Sequence, residues 1–206
     1  MRMPRIKLRG RVGVYHCVTR VVGGQYLFKD FCKERFRRML WQEAEFCGLQ
    51  VLTYCVMTNH VHVLVRVPQE QPLTDRVIVQ RALVLYGKNS VLGAILTKSL
   101  NRTGAIPPDR RQSLTQRMGD VSVFMKELKQ AFSRWFNKVH DRRGTLWEER
   151  FKSVLAEEGQ AAQAMAVYID LNPVRAGMVS DPKDYRWSSY GQAVAGKQRA
   201  REGIER

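Results

Sequence analysis

His60 and His62 stand two residues apart in the run Asn59-His60-Val61-His62-Val63-Leu64-Val65. The run alternates and is rich in β-branched residues, so it reads as a strand. A strand turns residues i and i+2 to the same face. Two imidazoles on one face of a rigid strand form half of a metal site, while Val61, Val63, Val65 and Val67 turn the other way and can enter a core. By itself an H-x-H pair also describes strand histidines that only hydrogen-bond at a surface. The remaining histidines are His16 and His140. A second pair of polar groups lies near the end of a predicted helix. Tyr168 and Asn172 are four residues apart, on the same helical face. A hydroxyl and an amide carbonyl one turn apart can serve chemistry. Equally, Tyr168 can be a core or rim tyrosine with a bonded hydroxyl.

The elements around these residues follow from periodicity and breakers. Arg11 to Arg20 reads as a first strand, and Gly23-Gly24 as a turn. Asp30 can cap a helix that runs to about Phe46 and ends at Gly48. Leu49 to Met57 and His60 to Val67 form a hairpin across Thr58-Asn59. Thr74 to about Tyr86 reads as helix. Residues 87–119 carry several glycines, two adjacent prolines and basic residues, and read as a partly ordered insertion. Asp120 starts an amphipathic helix with the stripe Val121, Phe124, Leu128, Phe132, Trp135 and Val139. Leu146 to Leu155 reads as a fourth strand or extended segment. Gln160 to Leu171 is an Ala-rich helix closed by Asn172-Pro173. The order predicts an α+β fold, a ferredoxin-like antiparallel sheet with helices packed on one face. Residues 1–195 form one domain with an elaboration at about 70–119, and the charged tail at 196–206 is expected to be flexible.

Composition narrows the partner. Thirty-five Lys and Arg against nineteen Asp and Glu give a net charge of +16 and a pI near 10.2 over 206 residues. Such an excess favours a polyanion, nucleic acid before an anionic membrane surface. Cys17, Cys32, Cys47 and Cys55 form no C-x-x-C pair, which argues against a zinc ribbon and fits reduced thiols in the cytoplasm. No apolar run approaches the roughly 18 residues that span a bilayer, so no membrane role is expected. The basic start has no apolar segment of the secretory kind. Its residues Arg5, Lys7, Arg9 and Arg11, the loop pair Arg142 and Arg143, and the neighbouring Trp147 and Arg150 are candidate DNA contacts. Each equally suits solvated charge or, for Trp147, a core anchor.

Three ordered motifs carry a resemblance. They are Thr58-Asn59-His60-Val61-His62, Leu146-Trp147-Glu148-Glu149-Arg150-Phe151-Lys152-Ser153, and Tyr168-Ile169-Asp170-Leu171-Asn172-Pro173-Val174-Arg175-Ala176-Gly177. Tyr15-His16-Cys17-Val18-Thr19-Arg20 and Trp187-Ser188-Ser189-Tyr190 add to it. Over roughly residues 5–190 the chain resembles the HUH single-tyrosine (IS200-like) transposases, and within them the REP-associated tyrosine transposases. The resemblance implies an HUH endonuclease-like fold. It implies that His60, His62 and Asn172 bind a divalent metal, Mg²⁺ or Mn²⁺, and that Tyr168 is the nucleophile. The implied activity is single-strand DNA cleavage and rejoining through a 5′-phosphotyrosine. The implied substrate is single-stranded DNA carrying a REP-like hairpin. Relatives act as dimers or as monomers, so a homodimer stays open. A free phenol has a pKa of about 10, so about a thousandth is ionised at pH 7 and cations must assist it. Replication initiators and relaxases often carry paired tyrosines on one helix, whereas the i+4 position here is Asn172. A non-catalytic nucleic-acid-binding regulator on the same scaffold is the alternative from another class.

Overall fold

The computed structural model describes Leu8 and residues 10–205. Four strands, β1 (Gly13–Arg20), β2 (Gln50–Val56), β3 (His60–Val67) and β4 (Lys152–Ala156), form an antiparallel sheet in the order β2-β3-β1-β4. That order, with helices after β1 and before β4, is the ferredoxin-like arrangement expected. The hairpin forms where the sequence places it, with a register shift between Val51 and Thr53 in β2. The fourth strand is shorter than the predicted segment. Residues 146–151 lead into it, joined to the end of β1 by a bridge between Val21 and Trp147 and by Glu148 N, which donates to Arg20 O at 3.0 Å.

One face of the sheet carries the main core. Val61, Val63 and Val65 are fully buried there, against helix α1 (Asp30–Cys47) and helix α5 (Val121–Val139). α1 ends as its glycine predicts. Gly48 takes φ +72°, its N–H reaches Glu45 O and the next N–H reaches Ala44 O, which satisfies the last carbonyls. α5 starts on Asp120, whose carboxylate accepts from Ser122 N at 2.6 Å and Val123 N at 3.2 Å. Phe124, Leu128 and Phe132 of the predicted stripe are buried, joined by Met125 and Phe136, whereas Val139 is exposed. Trp147 is a core anchor. It is 7% exposed, donates its indole N–H to Lys129 O at 3.1 Å, and sits among the rings of Phe28, Phe36 and Phe132. A base cannot stack on a ring so enclosed, so the DNA-stacking role considered for Trp147 is replaced by packing.

The insertion is ordered. Helices α2 (Asp75–Tyr86), α3 (Val91–Thr103) and α4 (Pro108–Thr115) fill residues 75–115. Leu96, Ile106 and Leu114 join the same core as the sheet. Asp75 ties the pieces together, accepting from Ile106 N at 2.8 Å and Arg111 Nε at 2.9 Å. The glycines and prolines that made this stretch look irregular are helix ends: Gly104 takes φ +70° after α3, and Pro108 opens α4.

The other face is crossed by α6 (Gln160–Asp170), which packs against β2, β3 and β4. Helices therefore cover both faces rather than one. α6 is held by fully buried Ile169, and by Thr53 Oγ1, which donates to Asp170 Oδ1 at 2.8 Å. A short helix, α7 (Asn172–Arg175), follows, and later α8 (Ser189–Val194) and α9 (Gln198–Ile204). The tail expected to be flexible is thus α9, packed on β2. A Cβ on Gly203 would lie 2.5 Å from Val51 O, and Ala200 is buried. Two small residues on one face let the helix approach the strand, and the charges around them hide this in the sequence. All four cysteines are buried. No described helix is long and apolar enough to cross a membrane.

Two stability predictions follow from the core. Trp147→Ala should lower the unfolding free energy by about 3–5 kcal/mol, read from the denaturant midpoint. A tryptophan kept only for stacking on DNA would show no such loss. Glu43 of α1 is 4% exposed, and its Oε2 finds no hydrogen bond among the described residues. Burial first, and the Glu127 carboxylate second, raise its pKa from 4.5 to about 7, with Arg117 opposing. The folded state therefore keeps a proton that the unfolded chain loses. Stability from this group is complete below pH 4.5 and is lost as pH rises through 7. Glu43→Gln should stabilise the protein by about 1–3 kcal/mol at pH 8 and by almost nothing at pH 4. Equal gains at both pH values in chemical denaturation would refute this.

Candidate active site

The register of β1 with β3 assembles the first half of the site. Arg20 lies opposite His60, Val18 opposite His62 and His16 opposite Leu64. His16 and His62 are therefore diagonal neighbours on one face, within reach of each other's side chains. The His16 and His62 rings stack at 5.2 Å with 16° between their planes, and His16 Nε2 is 2.9 Å from His62 Nδ1. His60 stands 4.9 Å from His62, edge to face. Its Nδ1 is 2.6 Å from Asn59 Oδ1. The pair predicted to share a face does so, and His16 joins it.

Burial and neighbouring positive charge keep these imidazoles neutral. His62 is pushed down to about 3, by burial first and then by His60, His16 and Arg20. His60 is pushed down to about 4, by burial and then Arg20. Burial lowers His16 as well. A neutral imidazole keeps one lone pair, which a metal ligand requires.

α6 brings the second half. The Tyr168 ring lies 6.0 Å from the His62 ring and 6.3 Å from the His16 ring. It remains 40% exposed, so a large substrate can reach it. Ile169 and the Thr53–Asp170 bond set the height and rotation of this helix end. Asn172 begins α7, and its Nδ2 donates to Tyr168 O at 2.8 Å and Ile169 O at 3.3 Å. Pro173 has no N–H to give Ile169 O, and the Asn172 amide supplies the missing donor. That use of its nitrogen leaves Oδ1 as the free end, with no hydrogen bond among the described residues. Two neutral imidazoles and an amide oxygen suit a divalent cation of the Mn²⁺ or Mg²⁺ kind. No three His, Cys, Asp or Glu side chains are grouped to hold a metal among the described residues.

Several residues of this cluster escaped the sequence reading. The Arg175 guanidinium lies 5.3 Å from the Tyr168 ring centroid. Arg20 faces His60, and Lys152 of β4 pairs with Val18 on the same sheet face. His16 and Arg20 share strand parity within Tyr15–Arg20, but only the register with β3 gives that parity meaning. The other predicted DNA contacts have separate surroundings. Arg5, Lys7 and Arg9 lie outside the described residues, and Arg11 is exposed. Arg142 packs over the Phe136 ring at 5.8 Å, and Arg143 is exposed. Arg150 lines a groove between α5 and residues 144–151, together with Lys126, Lys129 and Arg134.

Comparison with known proteins adds two findings. Residues 12–81 match the family model described as "Transposase IS200 like", a stretch that holds His16, Arg20, His60 and His62 and ends well before Tyr168. No curated protein sequence matches the chain. Among solved structures, one described as the REP-associated tyrosine transposase bound to a REP hairpin superposes with a TM-score of 0.61. It is 14% identical, over 95% of this chain and 86% of that one. The chain thus resembles the IS200-like transposases in sequence across the histidine strand, and has the α+β fold of a REP-associated tyrosine transposase.

Proposed function

We propose that this protein is a transposase that cuts and rejoins single-stranded DNA, with Tyr168 as nucleophile. The observation that carries the reading is an exposed tyrosine whose ring lies 6.0 Å from that of His62, on the sheet face that also carries His60. His60, His62 and Asn172 would hold Mg²⁺ or Mn²⁺. A cation bound there supplies Lewis-acid stabilisation of the scissile phosphate.

The chain's own groups do the rest. Tyr168 Oη gives its proton to solvent and forms a bond to phosphorus, the bond from phosphorus to the 3′-oxygen breaks, and that oxygen takes a proton from solvent and leaves as a 3′-hydroxyl. The 5′-phosphotyrosine keeps the energy of the broken bond, so a second 3′-hydroxyl can reverse the step without ATP. Arg175 lies 5.3 Å from the Tyr168 ring centroid, and Arg20 and Lys152 stand on the sheet face that carries the histidines; these cations can neutralise phosphate charge as it develops. Asp170 is turned to Thr53 and is not available as a base. The net charge of +16 supports a nucleic-acid substrate. The hairpin-bound relative supports a hairpin-bearing strand as its form.

The test uses end-labelled hairpin oligonucleotides from the DNA flanking the gene, with Mn²⁺ or Mg²⁺. A denaturation-resistant protein–DNA adduct should form, and should disappear with Tyr168→Phe, His60→Ala or EDTA. Arg175→Ala should slow adduct formation about tenfold to a hundredfold. Normal cleavage by Tyr168→Phe would remove the nucleophile assignment. Tight binding with no adduct under any condition would favour a non-catalytic DNA-binding regulator.

A further inference from the structure

Each histidine of the pair has its Nδ1 occupied by a different neighbour. At His60 the neighbour is Asn59 Oδ1, at 2.6 Å. The orientation of that amide is set from its far side, where Asn59 Nδ2 donates to Gly24 O at 2.9 Å. A backbone carbonyl only accepts, so nitrogen must face Gly24 and oxygen must face His60. Asn59 O also accepts from Val21 N at 2.8 Å, which fixes the backbone of this residue. Gly24 presents its carbonyl from a turn in which Gly23 and Gly24 take φ of +62° and +64°, a conformation that favours glycine. His60 Nδ1 must therefore carry the proton. A neutral ring with Nδ1–H has its lone pair on Nε2.

At His62 the neighbour is His16 Nε2, at 2.9 Å. One proton lies between the two nitrogens. If it sits on His62, the lone pair of that ring is on Nε2. If it sits on His16, His62 Nε2 is protonated and cannot ligate. Cation binding at His62 Nε2 selects the first arrangement, and His16 is then the acceptor. We propose that Asn59 and His16 are positioning residues, which accept the Nδ1 protons of His60 and His62 and so leave both Nε2 lone pairs for one divalent cation. This rests on the metal-binding part of the reading above and extends it from the ligands to the groups that orient them. Partners of this kind typically account for a 10- to 100-fold difference in metal affinity.

The test is Mn²⁺ binding followed by electron paramagnetic resonance, with histidine ¹⁵N–¹H spectra of the metal-free protein. His16→Leu and Asn59→Ala should each weaken Mn²⁺ binding about 10- to 100-fold. His16→Gln supplies an oxygen acceptor and should stay within a few fold of the unaltered protein, whereas Asn59→Asp keeps the acceptor but loses the donor to Gly24 O and should recover only part of the Asn59→Ala loss. The spectra should show His60 protonated at Nδ1, and Asn59→Ala should lose that form. A merely structural role would make the variants follow their folding stability, with no rescue by Gln or Asp. If His60→Ala abolishes Mn²⁺ binding while His16→Leu and Asn59→Ala bind normally, the positioning role fails and the metal site stands. If the unaltered protein binds no Mn²⁺, the metal site and the positioning role both fail.

Discussion

The pairing of β1 with β3 is the constraint on which the candidate site depends. It sets His16 diagonal to His62 and Arg20 opposite His60. A slip of one residue would turn every side chain of β1 to the other face. His16 and Arg20 would enter the core, and Tyr15, Cys17 and Thr19 would leave it. The buried valines of β3 and the buried Tyr15 and Cys17 of β1 make such a slip costly. The core face therefore enforces the register that the polar face uses. The positions on the polar face are free to serve chemistry because the other face supplies the cohesion.

The two faces differ in how their helices are attached. α1 and α5 bury long apolar stripes in one cluster with the sheet. α6 buries only Ile169 fully, with Ala162, Met165 and Ala166 partly buried beside it, and adds the Thr53–Asp170 bond at its end. The histidines thus sit on a sheet backed by a buried cluster, and the tyrosine on a helix with fewer buried residues. Local opening needs less free energy where few apolar contacts are broken. The role proposed for Tyr168, holding a DNA strand between two chemical steps, is compatible with such an attachment.

The sequence was readable where one local rule decided the outcome. β3 runs from His60 to Val67 because its alternation is uninterrupted, and α1 and α5 end or begin on Gly48 and Asp120 because those residues satisfy end groups. It was unreadable where tertiary packing decided. The glycines and prolines of residues 87–119 looked irregular until α3 and α4 were seen to place Leu96 and Leu114 in the core. The charged tail concealed Ala200 and Gly203, whose smallness matters only against β2. Within the site, same-face pairs on one element were legible: His60 with His62, and Tyr168 with Asn172. Pairs across elements, His16 with His62 and Arg175 with Tyr168, needed the fold.

Asn172 shows how one residue can join the two kinds of information. Its spacing from Tyr168 suggested a shared face, and its type suggested an oxygen ligand. The structure adds a reason for its orientation. Pro173 strips Ile169 O of its helical donor, and the Asn172 nitrogen replaces it. An aspartate there would offer oxygen at both ends and set one of them against that carbonyl, and an alanine would offer neither. The asparagine–proline sequence thus closes the helix that carries Tyr168 and, by the same hydrogen bonds, leaves an amide oxygen uncommitted at that helix end.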